Sequence, residues 1–245
     1  MKFMIDGGHG GSDPGAVGND LQEKDLTLAL ALRIGELLIS RGAEVHFTRA
    51  TDVFVDLSER ARMANEAGVD YFLSIHINAG GGTGFESFTY LGDTNTHDDM
   101  IHNYVATVFT VEGLPDRGRK YSNLAVLRET NMPAVLLEYG FIDSPKDAAL
   151  LKDDKFIERL AVATAEGVAV AFGLSREGED RMLREEVEAL KKQVAELKER
   201  ASMPVPDWAR EAVEAAVTSG LIDTPDGGSY DFYRVLTVLH RKGGI

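Results

Sequence analysis

The stretch Pro133-Ala-Val-Leu-Leu-Glu-Tyr-Gly140 decides how the chain is to be read. Ala134 to Leu137 is apolar at every position, whereas a strand with one wet face alternates. An unbroken apolar run belongs to a central strand covered on both faces, the usual situation in a parallel sheet. Glu138 follows directly at the end of that strand. Carboxylates are almost never fully buried without a partner, so Glu138 reads as a cleft residue and not as core.

Outward from this strand, residues 1–173 alternate strands with helices, the pattern of an α/β sandwich. The further expected strands are Phe3–Asp6, Glu44–Thr48, Tyr71–Ile77 and Phe85–Leu91, with Leu124–Leu127 as an additional candidate. Lys24–Ser40 carries Leu26, Leu30, Ile34, Leu37 and Leu38 on one helical stripe, and Gly42 supplies a stop. Asp56–Ala67, His97–Val111 and Phe156–Phe172 are the other helices expected there. The fold class is therefore α/β: a mainly parallel twisted sheet of about six strands flanked by helices, followed by a helical linker and a small all-helical C-terminal module.

The character changes after Leu174. Ser175–Asp180 reads as polar linker and Arg181–Arg200 as a charged helix. Leu183, Val187, Leu190, Val194 and Leu197 recur at steps of four and three, with Val at a and Leu at d, a choice that favours paired parallel helices. Glu186 at g and Lys191 at the following e could pair across a homodimer formed through residues 181–200. A helical spacer packed on its neighbours explains the same pattern. Asp207–Ser219 and a helix capped by Ser229 and running through Arg241 form the last unit, too small to sustain a stable fold readily by itself. The expected divisions are 1–174, 175–203 and 204–245, the last leaning on a second copy, as in a dimer, or on the preceding helix.

Composition excludes several classes. The net charge is -14, and residues 1–173 alone hold 15 Lys/Arg against 26 Asp/Glu. Nucleic-acid binding normally needs a basic face, so nucleic acid is not expected as a partner. The chain has 0 cysteines, so any metal must be held by His, Asp or Glu. Phe3-Met4-Ile5 already reads as core strand, with no signal peptide before it. Nor is any apolar run long enough to span a membrane, so membrane insertion is not expected and synthesis and folding in a cytosol are.

Two of the 6 histidines stand apart. His9 lies in Gly7-Gly8-His9-Gly10-Gly11, just past the first strand, and His76 lies near the end of the third, in Ser74-Ile-His-Ile-Asn-Ala79. The crevice beyond the carboxyl ends of parallel strands is the favoured binding place. The glycine run lacks the Lys-Ser/Thr of a phosphate loop and the spacing of a dinucleotide site. His46, His97, His102 and His240 read as structural or incidental. Glu23 alone could be a first-turn acid complementing a helix dipole. Asn78 either orients a ligand or closes a turn.

These segments resemble one known family, the zinc-dependent N-acetylmuramoyl-L-alanine amidases, cell-wall hydrolases of bacteria and their phages. The resemblance is carried in order by Ile5-Asp-Gly-Gly-His-Gly-Gly-Ser-Asp-Pro-Gly-Ala16, Glu23-Lys24, Thr48-Arg-Ala-Thr-Asp52, Leu57-Ser-Glu-Arg-Ala-Arg-Met-Ala-Asn65, Ser74–Ala79, Gly84-Phe-Glu-Ser-Phe88 and Pro133–Ile142. It implies that His9, Glu23 and His76 hold one zinc ion with a water, that Glu138 is the catalytic acid/base, and that bacterial peptidoglycan is the substrate. The loop from Gly92 to Asp99 leaves no room for the autoinhibitory helix of some members. With a C-terminal appendage, the resemblance points to a phage endolysin acting on the wall after release. The alternatives are a bacterial autolysin of the same activity, a zinc peptidase on the stem peptide, and a non-catalytic wall-binding protein. Trp208-Ala-Arg-Glu-Ala-Val213 and Gly220-Leu-Ile222 are similar to a helical hairpin of the S-layer-homology type, although Asp231-Phe-Tyr-Arg234 replaces the usual start of its second helix.

Overall fold

The apolar runs become the inner strands of one six-stranded sheet. In spatial order these are Glu44–Phe47 (β4), Lys2–Gly7 (β1), Tyr71–Asn78 (β5), Ala134–Phe141 (β8), Phe85–Thr89 (β6) and Asp116–Tyr121 (β7). β6 runs antiparallel to β8, and the other pairings in this sheet are parallel. The short strands Val17–Gly18 (β2) and Leu21–Gln22 (β3) make a hairpin between β1 and the first helix. The helices are Glu23–Ile39 (α1), Leu57–Ala67 (α2), Thr96–Val111 (α3), Ala125–Arg128 (α4), Pro145–Leu151 (α5) and Asp154–Phe172 (α6). This computed structural model describes residues 1–92, 95–174 and 177–245, which divide into the units Met1–Glu177 and Gly178–Ile245.

Strand alternation sorts the side chains onto two faces. Ile5, Leu73, Ile75, Val135 and Leu137 face α1, α3 and α6, where Leu30, Ile34, Ile101, Leu160 and Val168 complete the larger core. Met4, Phe72 and Leu136 face the other way and pack with Ala64 of α2 and Val126 and Leu127 of α4. Toward the carboxyl ends of β1, β5 and β8 this second face turns polar, with Asp6, Ser74, His76 and Glu138. The site is built where the smaller core gives out.

Two expectations change. Leu124–Leu127 is not a strand: Leu124 is extended, and a single helical turn follows at Ala125–Arg128. Val126 and Leu127 are both buried in the smaller core, as one face of a helical turn allows. Short apolar runs do not distinguish the two by periodicity. The sixth strand is instead β7, whose Asp-Arg-Gly-Arg-Lys-Tyr has no apolar alternation because it forms the sheet edge. α5 was not expected from the apolar pattern, although Ser144 caps it, Pro145 opens it and Asp147 lies in its first turn. Residues 93 and 94 of the expected Gly92–Asp99 loop, and 175 and 176 of the expected linker, lie outside the described residues.

Glu177–Ala201 is one helix (α7) that forms the start of the second unit from Gly178 on, so most of the expected polar linker is helical. Val187, Leu190, Val194 and Leu197 along it are exposed. After a 3-10 turn at Asp207–Ala209, Arg210–Thr218 (α8) and Tyr230–Arg241 (α9) pack around Ala209, Ala212, Val213, Ala216, Tyr233 and Leu236. The Tyr233 hydroxyl accepts from Gly228 N at 3.1 Å and lies 2.9 Å from Pro225 O and 3.2 Å from Met203 O, fastening the loops to α9. Ser229 Oγ accepts from Phe232 N, the expected cap. No helix among the described residues is long and apolar enough to cross a membrane.

Beneath the site, Asp6 is fully buried and accepts from Thr48 Oγ1 (2.6 Å), Ser74 Oγ (2.6 Å) and Arg60 Nη1 (2.7 Å). Burial pushes its pKa up, but Arg60, Ser74 and Thr48 outweigh this and hold it below the usual carboxylate range. Arg60, itself buried, also donates to Gly7 O and His9 O. Arg60→Ala leaves a buried charge unpaired and is expected to cost about 3–5 kcal/mol in urea unfolding. In the parent, the stability supplied by the depressed Asp6 pKa is fully present above about pH 4 and is lost as pH falls toward the folded-state value. An unchanged denaturation midpoint in Arg60→Ala would show that the pair is dispensable.

Candidate active site

Three chain segments meet at one carboxylate. Glu23 opens α1 and is buried. Its Oε2 lies 3.1 Å from His9 Nε2 and its Oε1 lies 2.9 Å from His76 Nδ1. Two backbone donors hold the carboxylate in place, Ala16 N to Oε2 at 2.8 Å and Ile77 N to Oε1 at 3.0 Å. The His9 and His76 rings stand edge to face with centroids 5.1 Å apart. One ligand atom from each of His9, Glu23 and His76 lies within 4.8 Å of the others, so the three could hold a metal ion. Two imidazoles, a carboxylate and no thiol are a donor set suited to zinc with an open position.

The loops that carry these groups are braced from below. His9 has φ +61, the left-handed region that costs a non-glycine residue energy. Its carbonyl accepts from Arg60 Nη2 at 2.7 Å, which helps to hold that conformation. Arg49 donates to Gly7 O at 2.7 Å and to Gly8 O at 2.9 Å, giving the Thr48–Asp52 motif its structural reason. At Gly15 (φ +66), a Cβ would lie 2.6 Å from both Glu23 Oε2 and His9 Cδ2, so the approach of the two ligands requires glycine there.

Electrostatics follow from the shared carboxylate. Burial lowers the His9 pKa, but Glu23 and Asp13 outweigh it and carry it up to about 9. Burial likewise opposes the charge on His76, yet Glu23 and Glu138 raise its pKa. Glu23 is held well below the usual range because its two histidine partners overcome its own desolvation. The two histidine shifts share one cause: the buried Glu23 carboxylate favours positive charge at its two histidine neighbours.

Glu138 is paired in register with His76 across β5 and β8. Its Oε2 is buried with no hydrogen-bond partner among the described residues. Burial raises its pKa to about 7, against a downward pull from His76. Beside His9 and His76 lies a cleft of about 330 Å³, walled also by Asp13, Phe54, Leu57 and Arg60.

Sequence reasoning brought His9, Glu23, His76 and Glu138 to this place, and the structure groups the first three. Asn78 lies two residues beyond His76, with its Oδ1 accepting from Ala79 N and its Nδ2 donating to Glu86 Oε1 at 2.9 Å. Asp13 was missed: its Oδ2 lies 2.8 Å from His9 Nδ1, and the only signal was a carboxylate four residues after a glycine-flanked histidine. His102, expected to be structural or incidental, is buried between Ser87 Oγ and Asp116 Oδ1, a structural setting.

With this geometry in view, the comparison with known proteins is decisive. A profile of the N-acetylmuramoyl-L-alanine amidase family matches residues 3–170. The chain belongs to that family. It is 44% identical over 196 residues to the sporulation-specific N-acetylmuramoyl-L-alanine amidase of Bacillus subtilis, covering 78% of this chain and 76% of that one. It is 42% identical over 179 residues to the endolysin of Bacillus phage SPP1, covering 70% and 66% respectively. The catalytic domain of CwlV, an amidase from Paenibacillus polymyxa, superposes with a TM-score of 0.67 at 36% identity, covering 71% of this chain and 99% of that structure. The family match ends at residue 170, so the second unit of this amidase stands outside it.

An orphaned carboxylate is not there for stability. Glu138→Gln is expected to be at least as stable as the parent in urea unfolding with chelator present, because an unsatisfied buried charged group costs about 1–3 kcal/mol or more. A loss exceeding about 1 kcal/mol would make Glu138 a structural residue.

Proposed function

We propose that the chain hydrolyses the amide bond between N-acetylmuramic acid and L-alanine in bacterial peptidoglycan, with one zinc ion held by His9, Glu23 and His76. The observation that supports this most is the convergence of those three ligand atoms within 4.8 Å, beside a buried carboxyl oxygen that has no partner, in a unit that matches the amidase family. Zinc bound there would lower the pKa of a water to about 7 and polarise the substrate carbonyl. Glu138 takes the proton from the attacking water and returns it to the departing alanine nitrogen. Burial raises the Glu138 pKa above the usual carboxylate range, which suits a group that must both take and return a proton. Asp13 accepts from His9 Nδ1, which leaves Nε2 as the metal-facing nitrogen.

The relatives support two settings for this chemistry. A phage endolysin reaches the wall after membrane opening, whereas an autolysin is exported. Expressed in a host, the first lyses cells only once a pore-forming agent is added, and the second lyses without it. A zinc peptidase would instead free an amine inside the stem peptide.

The second unit we read as a wall-binding and pairing module. Trp208 and Tyr230 stand 5.6 Å apart over a cleft of about 410 Å³ that Arg234 and Arg241 also line. The exposed Val187, Leu190, Val194 and Leu197 supply a coiled-coil seam for a second copy of the chain.

Glu138→Ala should retain zinc and lose wall lysis, while His76→Ala should lose the metal, both read by elemental analysis beside release of alanine amino termini. Asp13→Asn should weaken zinc binding about 10–100-fold. Metal retained in His76→Ala, or near-parental lysis by Glu138→Ala, would sink the assignment. For the second unit, Leu190→Lys should convert dimers to monomers by light scattering, and Trp208→Ala should reduce pelleting with purified walls. A monomeric parent removes the pairing, and unchanged pelleting removes the wall cleft.

A further inference from the structure

A row of ionisable side chains crosses one face of the sheet over four neighbouring strands. Register pairs His76 of β5 with Glu138 of β8, and Glu138 with Glu86 of β6. Glu86, only 4% exposed, accepts from Arg117 Nε at 2.6 Å and Lys120 Nζ at 2.5 Å, both on β7, and from Asn78 Nδ2. Two cations around one carboxylate leave a positive charge in a unit rich in acids. The cations are also the open members of the cluster: the Arg117 and Lys120 side chains are 35% and 39% exposed, against 5% for Glu86. Arg117 meets Glu86 through Nε, and its terminal nitrogens make no hydrogen bond among the described residues. Its guanidinium carbon lies 4.9 Å from the Phe141 ring centroid, which fixes its direction.

Adjacent strands lie about 4.8 Å apart, so β7 stands roughly 10 Å from Glu138 along this row. An extended peptide advances about 3.5 Å per residue. A substrate whose alanine nitrogen lies at Glu138 therefore brings its next residue within reach of two long cationic side chains on β7. Resting on the amidase reading, we propose that Arg117 and Lys120, positioned by Glu86 and Asn78, form the subsite for a free carboxylate on the residue that follows L-alanine in the stem peptide. The ligand class is an anionic peptide, and the amidated form of the same residue is the disfavoured substrate. Glu86 and Asn78 act through the cations and do not touch the substrate.

The test uses two soluble muramoyl peptides that differ only in whether this second residue carries a carboxylate or a carboxamide, with release of the alanine amine as readout. The parent should favour the carboxylate form about tenfold or more in kcat/KM, expressed in KM, as expected for a hydrogen bond to a charged group. In Arg117→Met and Lys120→Met the ratio between the two substrates should fall toward one, and Arg117→Lys should restore much of it. Each single replacement leaves Glu86 one cation and Asn78, so the fold should persist. Equal rates on both substrates with the parent, or a ratio unchanged in the Met variants, overturns the subsite while leaving the amidase reading standing. No alanine amine from either substrate overturns both.

Discussion

The register of β5 against β8 is the constraint on which this molecule turns. Because His76 sits opposite Glu138, both side chains project from the same face at the same height. A slip of one residue would send Glu138 into the larger core and bring an apolar neighbour to the site. The register is protected by the uninterrupted apolar burial of Ala134–Leu137, which a slip would exchange between two differently sized cores. The same row continues to Glu86 on β6, so one packing decision places His76, Glu138 and Glu86 in line.

Asp6 and Glu138 show how environment divides labour between carboxylates on one face. Asp6 receives two hydroxyls and a guanidinium, and stays ionised despite complete burial. Glu138 keeps one oxygen without a donor and is pushed up to about 7. Satisfaction makes the first a brace, through Arg60, for the strained His9 loop. Lack of it leaves the second available to exchange a proton.

Legibility in the sequence followed the physics of each element. Buried strands and the α1 stripe announce themselves by hydrophobic pattern, and so does the position of Glu138 at the end of such a run. His9 was legible through the glycines around it, and Gly15 shows why they are required. Glu23 was not legible locally, since an acid at a helix start has an ordinary explanation; only the ordered resemblance singled it out. β7 escaped because an edge strand that carries charges has no apolar alternation. Arg117, Lys120 and Glu86 escaped with it, since their meeting depends on a pairing that no local pattern reveals. Leu124–Leu127 failed for the opposite reason: four residues of apolar character suit a helical turn as well as a strand.

Charge explains why a unit of this kind needs local holds on its substrate. The chain carries -14, and bacterial wall polymers are themselves anionic, so long-range attraction cannot bring the two together. Screening at physiological ionic strength shortens the repulsion to about 8 Å, the scale of direct contact. Within that range local charges decide, and the partly exposed Arg117 and Lys120 lie on β7, two strands from Glu138. A second attachment through the C-terminal unit would act by a different route, raising the effective concentration of substrate at the site without any new contact there. Under the proposed subsite and the proposed C-terminal attachment, an acidic body holds an anionic polymer at the site while its remaining surface repels it over about a Debye length.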